Sequence, residues 1–400
     1  MKKSLKIVVL TIPLHGHVNP MLGVVKGLTA KGHTIVVYST TEFKKSIEAA
    51  GAVFKTIDTF KYENRFSPDI GKDPLKITDL LLTLTEDHID EIINTVTTEK
   101  ADLLIHDGFC LWAKVAARAL DIPAVSVITT IVFAQTLLTA FPGIAWEQIK
   151  HLFTHFGTFW LLMNRYNNMN KKFQIKNDTL FDLFINQEKL NIVFTSRYFQ
   201  PKSKSIDKSF LFIGPSLAGR SHLEKELLDF KTNQPLIYIS LGTIFNNDPQ
   251  FYHICVDAFT NCPYNVLISI GKAMDSKVFG KTPENIRIRS HVNQISVLQH
   301  AEVFVSHGGM NSVNESMYYG VPMVLFPAVQ EQLVNSLRVQ QLGAGKVMKR
   351  IDLTKEALHR VVTGILQNPS FKKNATEVQK SLQEAAGIKA AVKKIEELVN

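Results

Sequence analysis

Residues 301–322, AEVFVSHGGMNSVNESMYYGVP, begin as a short apolar strand, turn at His307-Gly308-Gly309 and continue as a helix that starts near Met310 and ends before Gly320. Two glycines between a strand and a helix let the backbone approach an anion closely, and the helix start aims its unpaired N–H groups and positive dipole end at that anion. His307, Asn311 and Ser312 add donors at the same place. Glu315 follows Asn311 by one helical turn, which puts a carboxylate within reach of hydroxyls about a sugar's width from a phosphate. The SLGT segment at 240–243 supplies a second strand-end loop, with Thr243 as a further donor. Such a set describes a nucleotide diphosphate site on a doubly wound α/β domain.

Outward from this segment the same alternation recurs. PLIYISLG, YNVLISIG, IRIRSHV, EVFVSH and PMVLFP are Val- and Ile-rich runs of the kind buried on both faces of a parallel sheet. Upstream, LKIVVLTI, TIVVYS, ADLLIHD, PAVSVIT, NIVFTS and FLFIGPS describe a second such domain, with a helix from Pro20 to Leu28 after the first strand. An aromatic-rich stretch from about Thr130 to Ile185 interrupts it and reads as a helical excursion. The polar run AGRSHLEKELLDFKTNQP carries no strand pattern. The expected organisation is therefore an N-terminal domain over 1–216, a linker over 217–235, a second domain over 236–380 and a C-terminal helix over 381–400. No literal internal repeat is present.

Composition excludes several classes. With 400 residues, 45% hydrophobic and 20% charged, the chain is neither disordered nor collagen-like nor a small disulfide scaffold. Three cysteines without CxxC spacing point to a reduced, cytoplasmic setting. The charge of +9 is scattered rather than clustered, so no nucleic-acid partner is expected. The uncharged stretch Ile122–Trp146 is broken by Pro123, Pro142 and Gly143 and reads as a strand followed by a buried helix, with no stable membrane insertion.

The motif His307-Gly-Gly-x-Asn311-Ser312-x-x-Glu315, followed by Gly320-Val321-Pro322 and Glu331-Gln332, resembles the signature of the family 1 UDP-sugar glycosyltransferases. The start Gly16-His17-Val18-Asn19-Pro20 is similar to the bacterial macrolide and flavonoid branch, and Ile213-Gly214-Pro215 and SLGT stand in the same order. The resemblance implies the GT-B fold: α/β, two doubly wound Rossmann-like domains facing across a cleft, with the last helix packing back on the first domain. It assigns His307, Ser312 and Thr243 to the diphosphate, with Asn311 and the backbone at Gly309 in support. Glu315 falls on the ribose, and Glu331 with Gln332 on the transferred sugar. Plant relatives have Trp and Pro in the segment where this chain has His291-Val292-Asn293-Gln294, so His291 replaces the residue that stacks on uracil while Gln294 is retained.

Transfer of a sugar to a hydroxyl needs a base near neutral pKa, a role suited to imidazole. LKIVVLTI leads to His17 and ADLLIHD ends at Asp107, so both residues are expected at the carboxyl edge of a parallel sheet, with Asp107 orienting the imidazole. His15 and His106 compete on spacing alone, and the GHxNP match selects His17. No Asp-x-Asp occurs, so no metal and no cofactor are expected. The expected function is an inverting transfer of a hexose, with glucose from UDP-glucose as the expected donor, to a hydroxyl of a lipophilic acceptor such as a macrolide, polyketide or flavonoid, by a monomer or weak dimer. The alternatives are a non-catalytic nucleotide-sugar-binding or self-protection protein and a UDP-sugar epimerase or hydrolase on the same fold.

Overall fold

The computed structural model describes residues 4–56, 73–133, 136–175, 186–217, 230, 234–242, 246–271 and 274–399. Thr243 and most of the expected linker lie outside these residues. The chain divides into two compact units, one formed by 1–216 with 385–400 and the other by 217–384.

In the first unit the apolar runs become strands β1 (Lys6–Leu10), β2 (Thr34–Tyr38), β3 (Val53–Lys55), β4 (Leu103–Asp107), β5 (Ala124–Ile128), β6 (Leu190–Val193) and β7 (Phe210–Phe212). They form one parallel sheet in the order β3-β2-β1-β4-β5-β6-β7. Alternation along the strands sends side chains to two cores. Val8, Leu10 and Leu104 pack with Leu81 of α3 (Pro74–Glu99), Trp112 of α4 (Leu111–Ala119) and Tyr166 of α7 (Phe156–Lys172). Ile7, Val9 and Ile105 pack with Val24 and Leu28 of α1 (His15–Thr29) and with Val392 and Ile395 of α14 (Gly387–Val399). The last helix is further pinned by His33, whose Nδ1 accepts from the Leu5 amide at 3.1 Å while Nε2 donates to Glu396 at 3.3 Å.

Three local readings differ from the sequence expectation. The first helix begins at His15, five residues before Pro20, because the chain turns at Leu14 and the amides of His17 and Val18 both close on the Leu14 carbonyl at 2.9 Å. Pro20 therefore sits inside the helix rather than at its first turn. The final helical stretch is two helices, α13 (Pro369–Gln383) and α14, separated where Gly387 adopts a φ of 75°. The helix expected to be buried before Trp146 is instead α5 (Thr136–Ala140) followed by α6 (Pro142–Thr154), and α6 buries only Ala145. α7 is the more firmly anchored, through Leu162, Tyr166 and Met169 and through Arg165, which bonds Asp79 and Glu86 of α3, while α6 is tied down by Leu152 and by His151, 3.1 Å from Asp73. Trp146, Phe153, Phe156 and Trp160 stay exposed.

The second unit repeats the order of the first six of these seven strands without a sequence repeat. Strands β8 (Leu236–Ser240), β9 (Asn265–Ser269), β10 (Ile286–Arg289), β11 (Ala301–Ser306), β12 (Met323–Leu325) and β13 (Gly345–Val347) run parallel in the order β10-β9-β8-β11-β12-β13. Ile237, Ile239, Val303 and Val305 bury against Phe251 and Cys255 of α8 (Pro249–Phe259) and Leu358 and Val362 of α12 (Lys355–Gln367). Cys110, Cys255 and Cys262 form no disulfide. No helix among the described residues is long and apolar enough to cross a membrane.

Candidate active site

In the first unit, β1 and β4 are neighbours, so the turn after β1 and the end of β4 meet at the carboxyl edge of the sheet. His17 rises from the first turn of α1 and Asp107 is the last residue of β4. Their side chains meet, Nδ1 to Oδ2, at 2.7 Å. A carboxylate only accepts, so Nδ1 carries the hydrogen, and in the neutral ring the lone pair is then on Nε2. The other Asp107 oxygen accepts from the Phe109 amide at 2.8 Å, which fixes the carboxylate plane, and Phe109 presents its ring edgewise to the imidazole at 5.7 Å. Thr129, just beyond β5, lies 3.3 Å from the same Nδ1. Asp107 is 1% exposed and His17 17%, so only the imidazole reaches outward, with the carboxylate behind it.

The competing histidines are occupied differently. His15 is exposed and bonds Glu42 at 2.9 Å. His106 is fully buried on the opposite face of β4, 3.0 Å from the Asp107 carbonyl oxygen and 3.4 Å from Glu188. Burial alone would raise the Glu188 carboxyl. His106, and then Arg118 at 2.5 Å, outweigh that and hold it below the usual carboxylate range. This is a structural ion cluster beneath the sheet edge.

In the second unit, β11 leads into His307, Gly308 and Gly309, and α10 (Met310–Tyr318) starts with no side-chain cap on its amides. The His307 ring lies between two glycines: a Cβ at Gly242 or at Gly309 would come within 2.5 Å of it. Gly308 has a φ of 84°, and a Cβ there would stand 2.2 Å from the Ser336 hydroxyl. Burial, and then the charge of Arg350, hold the His307 imidazole down to about 4. It is therefore neutral at physiological pH and offers one N–H and one lone pair. Arg350 follows β13, bonds Asp248 at 2.7 Å and lies 4.3 Å from the centre of the Phe251 ring. Nothing in the sequence linked Arg350 to His307, because their proximity is made by the fold.

Ser312 and Glu315 are buried on α10. Gln294 opens the short helix α9 (Gln294–Leu298), and its amide nitrogen donates to Glu315 at 2.7 Å and lies 3.4 Å from the Ser312 hydroxyl. The Tyr238 hydroxyl completes this group by donating to the Gln294 carbonyl oxygen at 3.3 Å. Asn293 caps α9 through Ser296, Val292 is buried and His291 is exposed just ahead of them. Asn311 is half-buried in the first turn of α10. Glu331 and Gln332 begin α11 (Gln330–Gln341), where Gln332 accepts from the Ala328 amide at 2.9 Å and Glu331 is held by Asn335. Asn335 is a second residue that sequence reasoning missed. Among the described residues no three His, Cys, Asp or Glu side chains gather as a metal site.

Comparison with known proteins agrees with this architecture. The family model described as UDP-glucoronosyl and UDP-glucosyl transferase matches residues 75–385, and the glycosyltransferase family 28 N-terminal domain matches residues 7–139. The chain is 32% identical to the uncharacterized UDP-glucosyltransferase YojK of Bacillus subtilis, over 98% of this chain and 97% of that protein. It is also 32% identical to NDP-glycosyltransferase YjiC of Bacillus licheniformis, over 98% and 96%. The crystal structure of the calicheamicin glycosyltransferase CalG4 superposes with a TM-score of 0.83 at 25% identity, covering 99% of this chain and 98% of that one.

Proposed function

We propose, for a chain that belongs to the UDP-glucoronosyl and UDP-glucosyl transferase family and has its two-domain GT-B fold, that it is an inverting transferase moving a hexose, glucose from UDP-glucose, onto a hydroxyl of a lipophilic natural product. The observation that carries this reading is the 2.7 Å contact of His17 with a buried Asp107 at a sheet edge.

In this mechanism Nε2 of His17 takes the hydroxyl proton as the acceptor oxygen attacks the anomeric carbon. The bond from that carbon to the diphosphate breaks, and UDP leaves with the electron pair. Attack opposite an α-linked leaving group gives a β-glycoside. Asp107 stabilises the imidazolium formed in the step and keeps the proton-accepting nitrogen pointing outward. Neutral His307, Ser312 and the uncapped start of α10 offset the growing diphosphate charge. Glu315, oriented by Gln294, takes the ribose hydroxyls, and Glu331 with Gln332 the sugar.

The exposed Trp146, Phe153, Phe156 and Trp160 supply apolar surface suited to a lipophilic acceptor. The names of similar proteins, among them a calicheamicin glycosyltransferase, support an acceptor of the natural-product kind. A matrix of nucleotide sugars against hydroxylated aromatics and macrolides, read by product mass, tests the proposal. Hexose addition to at least one acceptor is expected, and nucleotide-sugar binding without transfer to any of them would contradict it.

A further inference from the structure

We propose that Asn335 is a positioning residue that couples the phosphate-binding turn to the Glu331 carboxylate and thereby sets the discrimination between hexose epimers. This inference rests on the donor reading above. Asn335 is fully buried on α11, one helical turn after Glu331. Its side-chain nitrogen donates to Glu331 Oε1 at 2.5 Å and to the Gly308 carbonyl oxygen at 3.2 Å. An amide nitrogen has two hydrogens, and both facing oxygens only accept, so both N–H groups are committed and the amide orientation is set. Ser336 presses on the same turn, its buried hydroxyl occupying the space that a Cβ on Gly308 would need.

The consequence concerns Glu331. With Oε1 fastened to Asn335, the carboxylate does not rotate freely, and its second oxygen keeps one direction relative to the turn that carries His307. A hydrogen-bonding group held in one direction rejects a hydroxyl of the wrong configuration, because the mismatched pair leaves polar groups unsatisfied. A carboxylate free to swing would follow either epimer. One buried amide thus links the segment that reads the diphosphate to the segment that reads the sugar.

The test compares kcat/KM for UDP-glucose and UDP-galactose at saturating acceptor in the full chain, with UDP affinity measured by calorimetry. Asn335→Ala and the isosteric Asn335→Asp both remove the donor pair, and UDP binding reports that each variant is folded. The ratio of preferred to disfavoured epimer is expected to fall about tenfold or more in both. In a Glu331→Ala background, which leaves Asn335 no side-chain acceptor at that position, Asn335→Ala is expected to change that ratio no further, since interacting residues are not additive. An unchanged ratio in a variant that binds UDP overturns the proposal, as does an equal further loss in the Glu331→Ala background. A parent that does not discriminate the epimers also overturns it. Weaker UDP binding with the ratio intact would make Asn335 a brace for the turn alone and reject the coupling. Failure of the donor reading looks different, because the parent would then transfer neither sugar.

Discussion

Asp107 Oδ2 stands 2.7 Å from His17 Nδ1, across 90 residues of sequence, with the carboxylate buried and the imidazole partly exposed. The two are joined because β1 and β4 are adjacent in a sheet whose strand order reverses there. The pairing fixes which ring nitrogen is protonated and so which one can accept a proton.

Asp107→Asn keeps an oxygen for the Phe109 amide and loses the charge behind the imidazole. Turnover is expected to drop to a level between the parent and His17→Ala, with UDP affinity unchanged. Steady-state rates with calorimetry check this, and parental turnover would remove Asp107 from the mechanism.

Glu315→Ala is expected to weaken UDP and UDP-glucose alike, by about 1.5–3 kcal/mol for lost charge-assisted hydrogen bonds. Gln294 loses its 2.7 Å partner in the same variant. Equal UDP affinity in variant and parent would count against a ribose role.

The His307 imidazole is held down to about 4 in the folded protein, against about 6.5 for an unperturbed histidine. Between these values the unfolded chain binds more protons than the folded one, so this group lowers stability as pH falls from about 6.5 to 4. Thermal melts of the parent and His307→Gln across that range should diverge, the parent losing more on acidification. Parallel curves would mean that the imidazole is not held neutral by its surroundings.

Transfer is expected to persist in excess EDTA. The chain has no Asp-x-Asp, and the diphosphate charge is assigned to His307 and the start of α10. Loss of turnover restored by Mg or Mn would reverse that assignment.

The strand-glycine-helix segment at 301–318 was legible because its chemistry is local: a buried apolar run, two glycines and donors one turn apart. The parallel sheets were legible for the same reason, through Val- and Ile-rich runs. The start of α1 was not, since a proline normally marks a first turn and here Pro20 lies inside the helix. The exposure of α6 was hidden because aromatic content alone does not reveal whether another element covers a helix. Arg350 and Asn335 escaped for a third reason. Each acts on a turn about 27 residues or more away, and only the packing of β13 and α11 brings them there.

The most direct measurement is acceptor-dependent UDP release by the parent, His17→Ala and His15→Ala, with UDP affinity measured on all three. The account predicts a loss of about 10²- to 10⁴-fold for His17→Ala, near-parental rates for His15→Ala and unchanged UDP affinity throughout. Near-parental turnover in His17→Ala would contradict it, and an inactive His15→Ala beside an active His17→Ala would move the base to the other histidine.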